Sequence, residues 1–151
     1  MKLEEAIKST NFLSQKHRAG LNILYTAWWL KTITSKELKK YGLTPEQYNV
    51  LRILKGKHPE QMCVGDIASR MIERSSNVPR IIDRLEMKKM VKRSDSAADK
   101  RETVITISEV GLNILKITTE DMDKAFAANL GGTEAQASQL NDLLEGFRQN
   151  G

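Results

Sequence analysis

Apolar positions recur at helical spacing along most of this chain. From about Glu4 to Lys40 the pattern predicts a long helical stretch, interrupted at Gly20 and closed by Gly42 as a C-cap. Leu21, Leu24, Tyr25, Trp28 and Trp29 form an apolar, aromatic stripe within it. Thr44-Pro45-Glu46-Gln47 marks a helix start, because Thr44 can cap, Pro45 suits the first turn and Gln47 completes a capping box. Tyr48, Val50, Leu51, Ile53 and Leu54 follow as core, and Gly56-Lys57-His58-Pro59 ends that helix. A short helix is expected from about Val64 to Ile72, with Ile67, Ala68 and Met71 facing inward. In the next helix Val78, Ile81, Ile82 and Leu85 stand at i, i+3, i+4 and i+7, one apolar stripe. Ser75 or Ser76 is expected to cap it. With Ser76 as the cap, Pro79 lies in the first turn, where its missing N–H costs little.

The period then changes. Val91-Lys92-Arg93 and Thr103-Val104-Ile105-Thr106-Ile107 are strand signals around a small-polar loop, which predicts a β-hairpin. Ser108 is expected to cap a long helix reaching about Leu130, and Gly131-Gly132 breaks the chain. Thr133-Glu134-Ala135-Gln136 is a second capping box, opening a helix through Phe147. The fold class is therefore mainly α with one small β-hairpin. No repeat, low-complexity tract or interdomain linker is visible, and 151 residues suit one domain with a sizeable core.

Composition narrows the class. The chain is 40% hydrophobic and 28% charged, ordinary for a soluble globular protein. No apolar run approaches the roughly 18 residues needed to span a membrane. The opening MKLEEAIKSTNF has acids where a signal peptide would have its apolar core, so a cytoplasmic location is expected. A single cysteine permits no internal disulfide. Cys63 precedes Val64-Gly65-Asp66, where a Ser or Thr cap is usual, and is read as a cap substitute rather than a reactive thiol. With only His17 and His58, and no metal-ligand spacing, glycine-rich phosphate loop or nucleophile motif, an enzyme, metal or cofactor reading has no support.

Charge adds a partner. Residues 70–101 hold ten basic and five acidic residues, a surplus equal to the formal net charge of +5 for the whole chain. Residues 1–69 carry a further surplus of five positive charges, and residues 102–151 an equal negative one. Clustered lysine and arginine attract phosphate and release counterions on binding, and a sequence pI near 9.4 fits a nucleic-acid binder. At about 100° per residue, Ser76, Arg80, Asp83, Arg84 and Met87 fall opposite the apolar stripe. A polar, cationic helix face followed at once by a hairpin with the basic tip Asp99-Lys100-Arg101 suits double-stranded DNA. The helix can enter a major groove while the tip reaches the flanking minor groove.

This order of helix, helix, short helix, recognition helix and hairpin wing is that of a winged helix-turn-helix, with long helices added at both ends. The chain resembles the multiple antibiotic resistance regulator (MarR) family over nearly its whole length. The resemblance begins at Leu43-Thr44-Pro45-Glu46-Gln47-Tyr48-Asn49-Val50-Leu51 and continues through Val64-Gly65-Asp66-Ile67-Ala68. It takes in Val78-Pro79-Arg80-Ile81-Ile82-Asp83-Arg84-Leu85-Glu86, the tip Asp99-Lys100-Arg101, and Thr106-Ile107-Ser108-Glu109-Val110-Gly111. Lys89 departs from the pattern, since the family usually ends its recognition helix with a glycine there. The resemblance implies a homodimer on a pseudo-palindromic operator, usually as a repressor. It divides the single domain into a DNA-binding region, 43–107, flanked by dimerisation helices in 1–42 and 108–151. Independently, Ile7, Phe12 and Leu13 at one end and Leu140, Leu143, Leu144 and Phe147 at the other exceed what one winged-helix core needs.

Residue chemistry suggests roles. Arg80 can bind guanine O6 and N7 bidentately, and Asn77 can read adenine. Ser76 shares their exposed helix start, Arg84 follows one turn later, and Ser75 suits a phosphate at the helix N-terminus. By resemblance, Arg101 enters the minor groove, Asp99 holds its guanidinium, and Lys100 meets phosphate. The resemblance also implies a small aromatic or anionic effector between the dimerisation helices and the winged helix. Tyr25, Trp28, Trp29, Tyr41 and Tyr48 are candidates to line that place, with Arg18, His17 or Lys31 meeting an anion. Aromatics at this spacing are more often plain core. The competing reading from another class is a winged-helix interaction module whose basic face binds an acidic protein. No membrane partner is expected, because the basic helix commits its other face to core.

Overall fold

The computed structural model describes residues 1–149. Helix α1 spans Leu3–Ile7, α2 Gln15–Lys39, α3 Pro45–Lys57, α4 Val64–Arg70, α5 Val78–Met87, α6 Glu109–Asn129 and α7 Glu134–Phe147. Strand β1 is Met62–Cys63, β2 Val91–Asp95 and β3 Thr103–Ile107. The expected hairpin is present, and it carries a third strand that two residues of sequence could not announce. The sheet is antiparallel in the order β1-β3-β2, with Met62 opposite Ile105 and Val91 opposite Ile107.

Local chemistry sets the boundaries. Thr44 and Thr133 each accept a hydrogen bond from the main-chain N–H three residues on, while Gln47 and Gln136 reach back. Both are complete capping boxes, as the sequence predicts. Ser108 caps α6 through the N–H of Gly111, and Cys63 caps α4 through that of Asp66, at 3.4 Å. Gly42 sits at φ +67, with Leu43 N–H donating to Leu38 O and Gly42 N–H to Lys39 O. That pair of bonds is a Schellman ending for α2, and it brings buried Leu38 and Leu43 together.

Three expectations need correction. Gly20 does not interrupt the first long helix: α2 passes through it, and the break lies at residues 8–14. There Lys8 turns left-handed (φ 51) and Ser14 starts a new helix by accepting from His17 N–H. A lone glycine costs a helix about 1 kcal/mol, too little to end 25 residues of it. Helix α4 stops at Arg70, leaving Ile72 89% exposed. The cap of α5 is Asn77, whose Oδ1 accepts from Arg80 N–H, whereas Ser76 Oγ donates back to Glu73 O.

The core joins helices α2 to α6 and the three strands. Val50, Leu51 and Leu54 of α3 and Ile67 of α4 are fully enclosed with Ile82 and Leu85 of α5 and Ile105 of β3. Leu38 of α2 and Leu115 and Met122 of α6 belong to the same cluster. Helix α7 buries none of its residues.

Two backbone positions give predictions. Lys89 adopts φ 59, and its N–H donates to Glu86 O while Met90 N–H donates to Leu85 O. The chain thus makes a glycine-type ending with a lysine. A left-handed non-glycine residue costs about 1–2 kcal/mol, and part of that returns as the unfolded-state freedom of glycine. Lys89→Gly is therefore expected to raise stability by about 0.5–1 kcal/mol in urea melts, and a loss would refute the strain. At Gly111 a Cβ would stand 2.2 Å from Met90 O. Gly111→Ala is expected to cost about 3 kcal/mol, since the blocking atom is backbone. A near-neutral melt would show that α6 can shift at no cost.

Candidate nucleic-acid interface

Helix α5 separates its two faces sharply. Val78, Ile82 and Leu85 are buried, while Pro79, Arg80, Asp83, Arg84 and Met87 are exposed on the other side. Asn77 starts the helix and Pro79 occupies its first turn, so the missing proline N–H leaves no bond unmade. Arg80 and Arg84 border one surface hollow of about 400 Å³ with Ser76, Asn77 and Thr44. Neither arginine has an ion-pair partner among the described residues.

The wing tip is ordered by its own polar groups. Ser96 N–H donates to Glu102 O at 2.9 Å, and Glu102 N–H donates to Asp99 O at 3.0 Å. Ser96 Oγ accepts from the N–H groups of Ala98 and Asp99. Asp99 Oδ1 accepts from the main-chain N–H of Arg101 at 3.0 Å. Asp99 thus fixes the backbone under Arg101 rather than gripping its guanidinium, as the resemblance had implied. Asp99, Lys100 and Arg101 are all exposed, and the Arg101 side chain is left free to meet a groove.

Not every cation in this region is available. Arg93 of β2 pairs with Asp83 and, at 3.5 Å, with Glu86 of α5. Arg74 donates to Ser69 O, and Lys88 donates to Gly42 O and to Gln47 Oε1. These three hold the protein to itself. Asp83 and Glu86 stand at i and i+3 on one helix face, a spacing that could have flagged them as a receptor for a wing cation. Asn77 also has a prior engagement, because its Oδ1 is the helix cap and only its amide N–H₂ remains uncommitted. Ser75 is exposed, and Ser76 is half-buried with its hydroxyl turned back to Glu73.

A second candidate site is a cleft of about 410 Å³ between α2 and the start of α3, reaching the turn before α5. Of the residues expected to line an effector site, only Lys31 is there. Arg18 pairs with Glu4 at 2.8 Å and lies over the Phe12 ring. Tyr25 and Trp28 pack with their rings tilted at 45° and centroids 5.5 Å apart, with Trp28 60% exposed, and Trp29 is half-buried. Tyr41 donates to Asp121, and the Tyr48 and Thr119 hydroxyls share a 3.2 Å hydrogen bond, both linking to α6. His17 Nδ1 accepts from Leu13 N–H. Helical spacing could not separate these tertiary engagements from a pocket.

Within the cleft, Lys31 Nζ lies 2.9 Å from Glu46 Oε1 and 3.0 Å from Glu73 Oε2. The hydrogen bonds that Lys31 donates to Glu46 and Glu73 raise its pKa. Burial pushes the Glu46 carboxyl up, but the Lys31 ammonium and a main-chain bond outweigh it and the net shift is down. Lys31 and Glu46 thus hold each other in their charged forms. The sequence concealed this network, whose members are 15 and 42 residues from Lys31.

The MarR family model matches residues 43–103. The chain is 36% identical to the HTH-type transcriptional repressor MdtR of Bacillus subtilis (strain 168), over 96% of this chain and 100% of that protein. It is 34% identical to the HTH-type transcriptional regulator MhqR of the same organism over 54% of each, so it spans about half of that relative. Among solved structures, a MarR transcription factor from Planctomyces limnophilus superposes with a TM-score of 0.69 at 28% identity, over 91% of this chain and 96% of that one. The S. aureus MepR–DNA complex gives 0.72 at 21% identity, over 85% and 94%. CouR from Rhodococcus jostii RHA1 bound to p-coumaroyl-CoA gives 0.73 at 20%, over 92% and 97%. These last two likenesses concern the fold.

The Arg93 pairs are testable apart from any ligand. All three side chains are more than a third exposed, so solvent screening holds each pair to about 1 kcal/mol at most. A double-mutant cycle of Arg93→Ala with Asp83→Ala is expected to return a coupling of about 0.5–1 kcal/mol, shrinking at high salt. Zero coupling at low salt would mean that the wing is not fastened this way.

Proposed function

The chain belongs to the MarR family of winged-helix, DNA-binding transcriptional regulators, and from that premise we propose that it is a repressor. In this reading it binds a pseudo-palindromic operator as a homodimer and leaves it when a small effector binds. The observation that carries the DNA-facing assignment is the free cationic face: Arg80 and Arg84 on α5, with Lys100 and Arg101 at an ordered wing tip. Phosphate and base edges are what such a face can satisfy. Arg80 is assigned to guanine in the major groove, Arg84 to a base or phosphate one turn on, and Arg101 to the minor groove. Lys100, Ser75 and Ser76 are assigned to the backbone. Asn77 keeps its cap and offers only its amide N–H₂ to DNA.

Self-association is supported by apolar surface that one chain leaves uncovered. On α7, Leu140, Leu143 and Phe147 are 55%, 61% and 55% exposed, and on α2 Leu24 and Trp28 are more than half exposed. Such residues at helical spacing call for a partner surface. A two-fold dimer would set two recognition helices about one DNA turn apart, roughly 10 base pairs. Repression draws support from the name of MdtR, and an effector from CouR, solved with p-coumaroyl-CoA.

Fluorescence anisotropy with DNA from upstream of its own gene, beside a scrambled duplex at several salt concentrations, tests this reading. Tight, selective binding with a steep salt slope is expected. Arg101→Ala is expected to weaken operator binding by about 1–3 kcal/mol with an unchanged melting temperature, and Lys100→Ala to reduce the salt slope by about one. Equal, weak binding to both duplexes would instead favour a protein partner for the basic face. Unchanged affinity in Arg101→Ala would remove the wing from the interface.

A further inference from the structure

The charged groups of the cleft between α2 and α3 restrict what can enter it. Lys31 faces two carboxylates, Glu46 and Glu73, so the three side chains leave one surplus negative charge. The rest of the wall is mostly apolar, with Leu30, Pro45, Met71 and Ile72 prominent in it and Thr34 and Asn49 as its uncharged polar members. We propose that this cleft takes a small organic cation with a compact apolar body, and that it rejects an anion of the same shape. The inference rests on the effector reading given above and names the chemical class of that effector.

Three features support a cation. Two of the three N–H donors of Lys31 are already engaged, one by each carboxylate. An incoming carboxylate would find at most one donor, flanked by two like charges, and like charges at this range oppose each other. An incoming ammonium would instead be drawn by the surplus negative charge of the two carboxylates. Glu46 is only 26% exposed, which weakens solvent screening and sharpens the discrimination. The volume of about 410 Å³ falls within the range of small-molecule sites. Met71 is buried while neighbouring Ile72 stands 89% exposed, so a large apolar side chain borders the opening. A divalent metal ion fits less well, because it wants six or more oxygens. No group of three or more His, Cys, Asp or Glu side chains gathers among the described residues.

The cleft also touches the DNA-facing machinery. Glu73 O accepts from both the N–H of Ser76, at 3.1 Å, and its hydroxyl, at 2.7 Å. That turn leads directly into the Asn77 cap of α5. A cation that draws Glu73 away from Lys31 therefore acts on the residues that start the recognition helix.

Calorimetric titration of the whole protein with three probes of matched shape tests the inference: naphthylmethylammonium, naphthylmethanol and naphthoate. The ammonium is expected to bind at least ten-fold tighter than the carboxylate, with the alcohol between. Glu73→Gln is expected to narrow that ratio at least three-fold, and Lys31→Met to widen it, with melting curves confirming that both variants fold. A tighter carboxylate, or three equal affinities, would overturn the cation assignment while leaving an effector site standing. If none of the probes binds, the effector reading falls and this inference falls with it.

Discussion

The main-chain carbonyl of Met90 is the point on which the DNA-facing half of the molecule turns. It accepts a 2.9 Å hydrogen bond from Ser108 N–H, and Gly111 approaches it more closely than any residue with a side chain could. One residue earlier, Lys89 O accepts from Ser108 Oγ at 2.6 Å. The end of the recognition helix and the entry to the wing are thereby fixed to the first turn of α6. A wing whose two strands leave and return at the same junction cannot tilt without moving that helix. The left-handed Lys89 belongs to the same constraint: the chain must reverse there to put Met90 under Gly111, and the surrounding bonds hold a lysine in a conformation it disfavours.

What the sequence made legible follows from the range of each interaction. Capping boxes at Thr44 and Thr133 and the Ser108 cap are settled within four residues, and the Val78–Leu85 stripe within about two helical turns, so spacing alone located them. The failures are equally physical. Gly20 looked like an interruption because glycine is a poor helix former, but the local penalty is small beside the packing of a long helix. Ser75 and Ser76 were plausible caps by type, yet Asn77 holds the position and Ser76 instead closes the turn behind it. Strand β1 is two residues long and exists only because β3 offers an open edge. By spacing alone Tyr25, Trp28, Trp29, Tyr41 and Tyr48 suit core, and only resemblance places them on the wall of an effector site. Two of them bind α6 through their hydroxyl groups instead, a contact across at least 71 residues that no periodicity encodes.

Charge was legible as a total but not as a distribution of free and committed groups. Ten basic residues in 70–101 suggested one broad positive surface. Arg74, Lys88 and Arg93 turn inward to carbonyls, an amide and carboxylates. Of the seven that remain, Arg80 and Arg84 stand on the helix face and Lys100 and Arg101 at the wing tip, with Arg70, Lys89 and Lys92 outside both. This division sharpens the electrostatic argument. Committed cations set the angle between helix and wing, and free ones are available to release counterions from DNA.

The same division gives the recognition helix attachments at both ends to one corner of the fold. At its N-terminal side, Glu73 is held by Lys31 of α2 and in turn holds Ser76. At its C-terminal side, Lys88 donates to Gly42 O, in the turn that joins α2 to α3, and to Gln47 of α3. Helix α2 exposes Ile23, Leu24 and Trp28 and buries only Leu38, so the core holds it chiefly at its C-terminal end. A rotation of α2 against α3 would therefore pull on the start and the end of α5 together. That makes the helix more apt to move as a rigid unit than to fray, because its buried face is fully enclosed and its cap is its own. The cleft beside Lys31 lies between those two helices. A molecule bound there acts where a small displacement is carried to both ends of the DNA-reading helix.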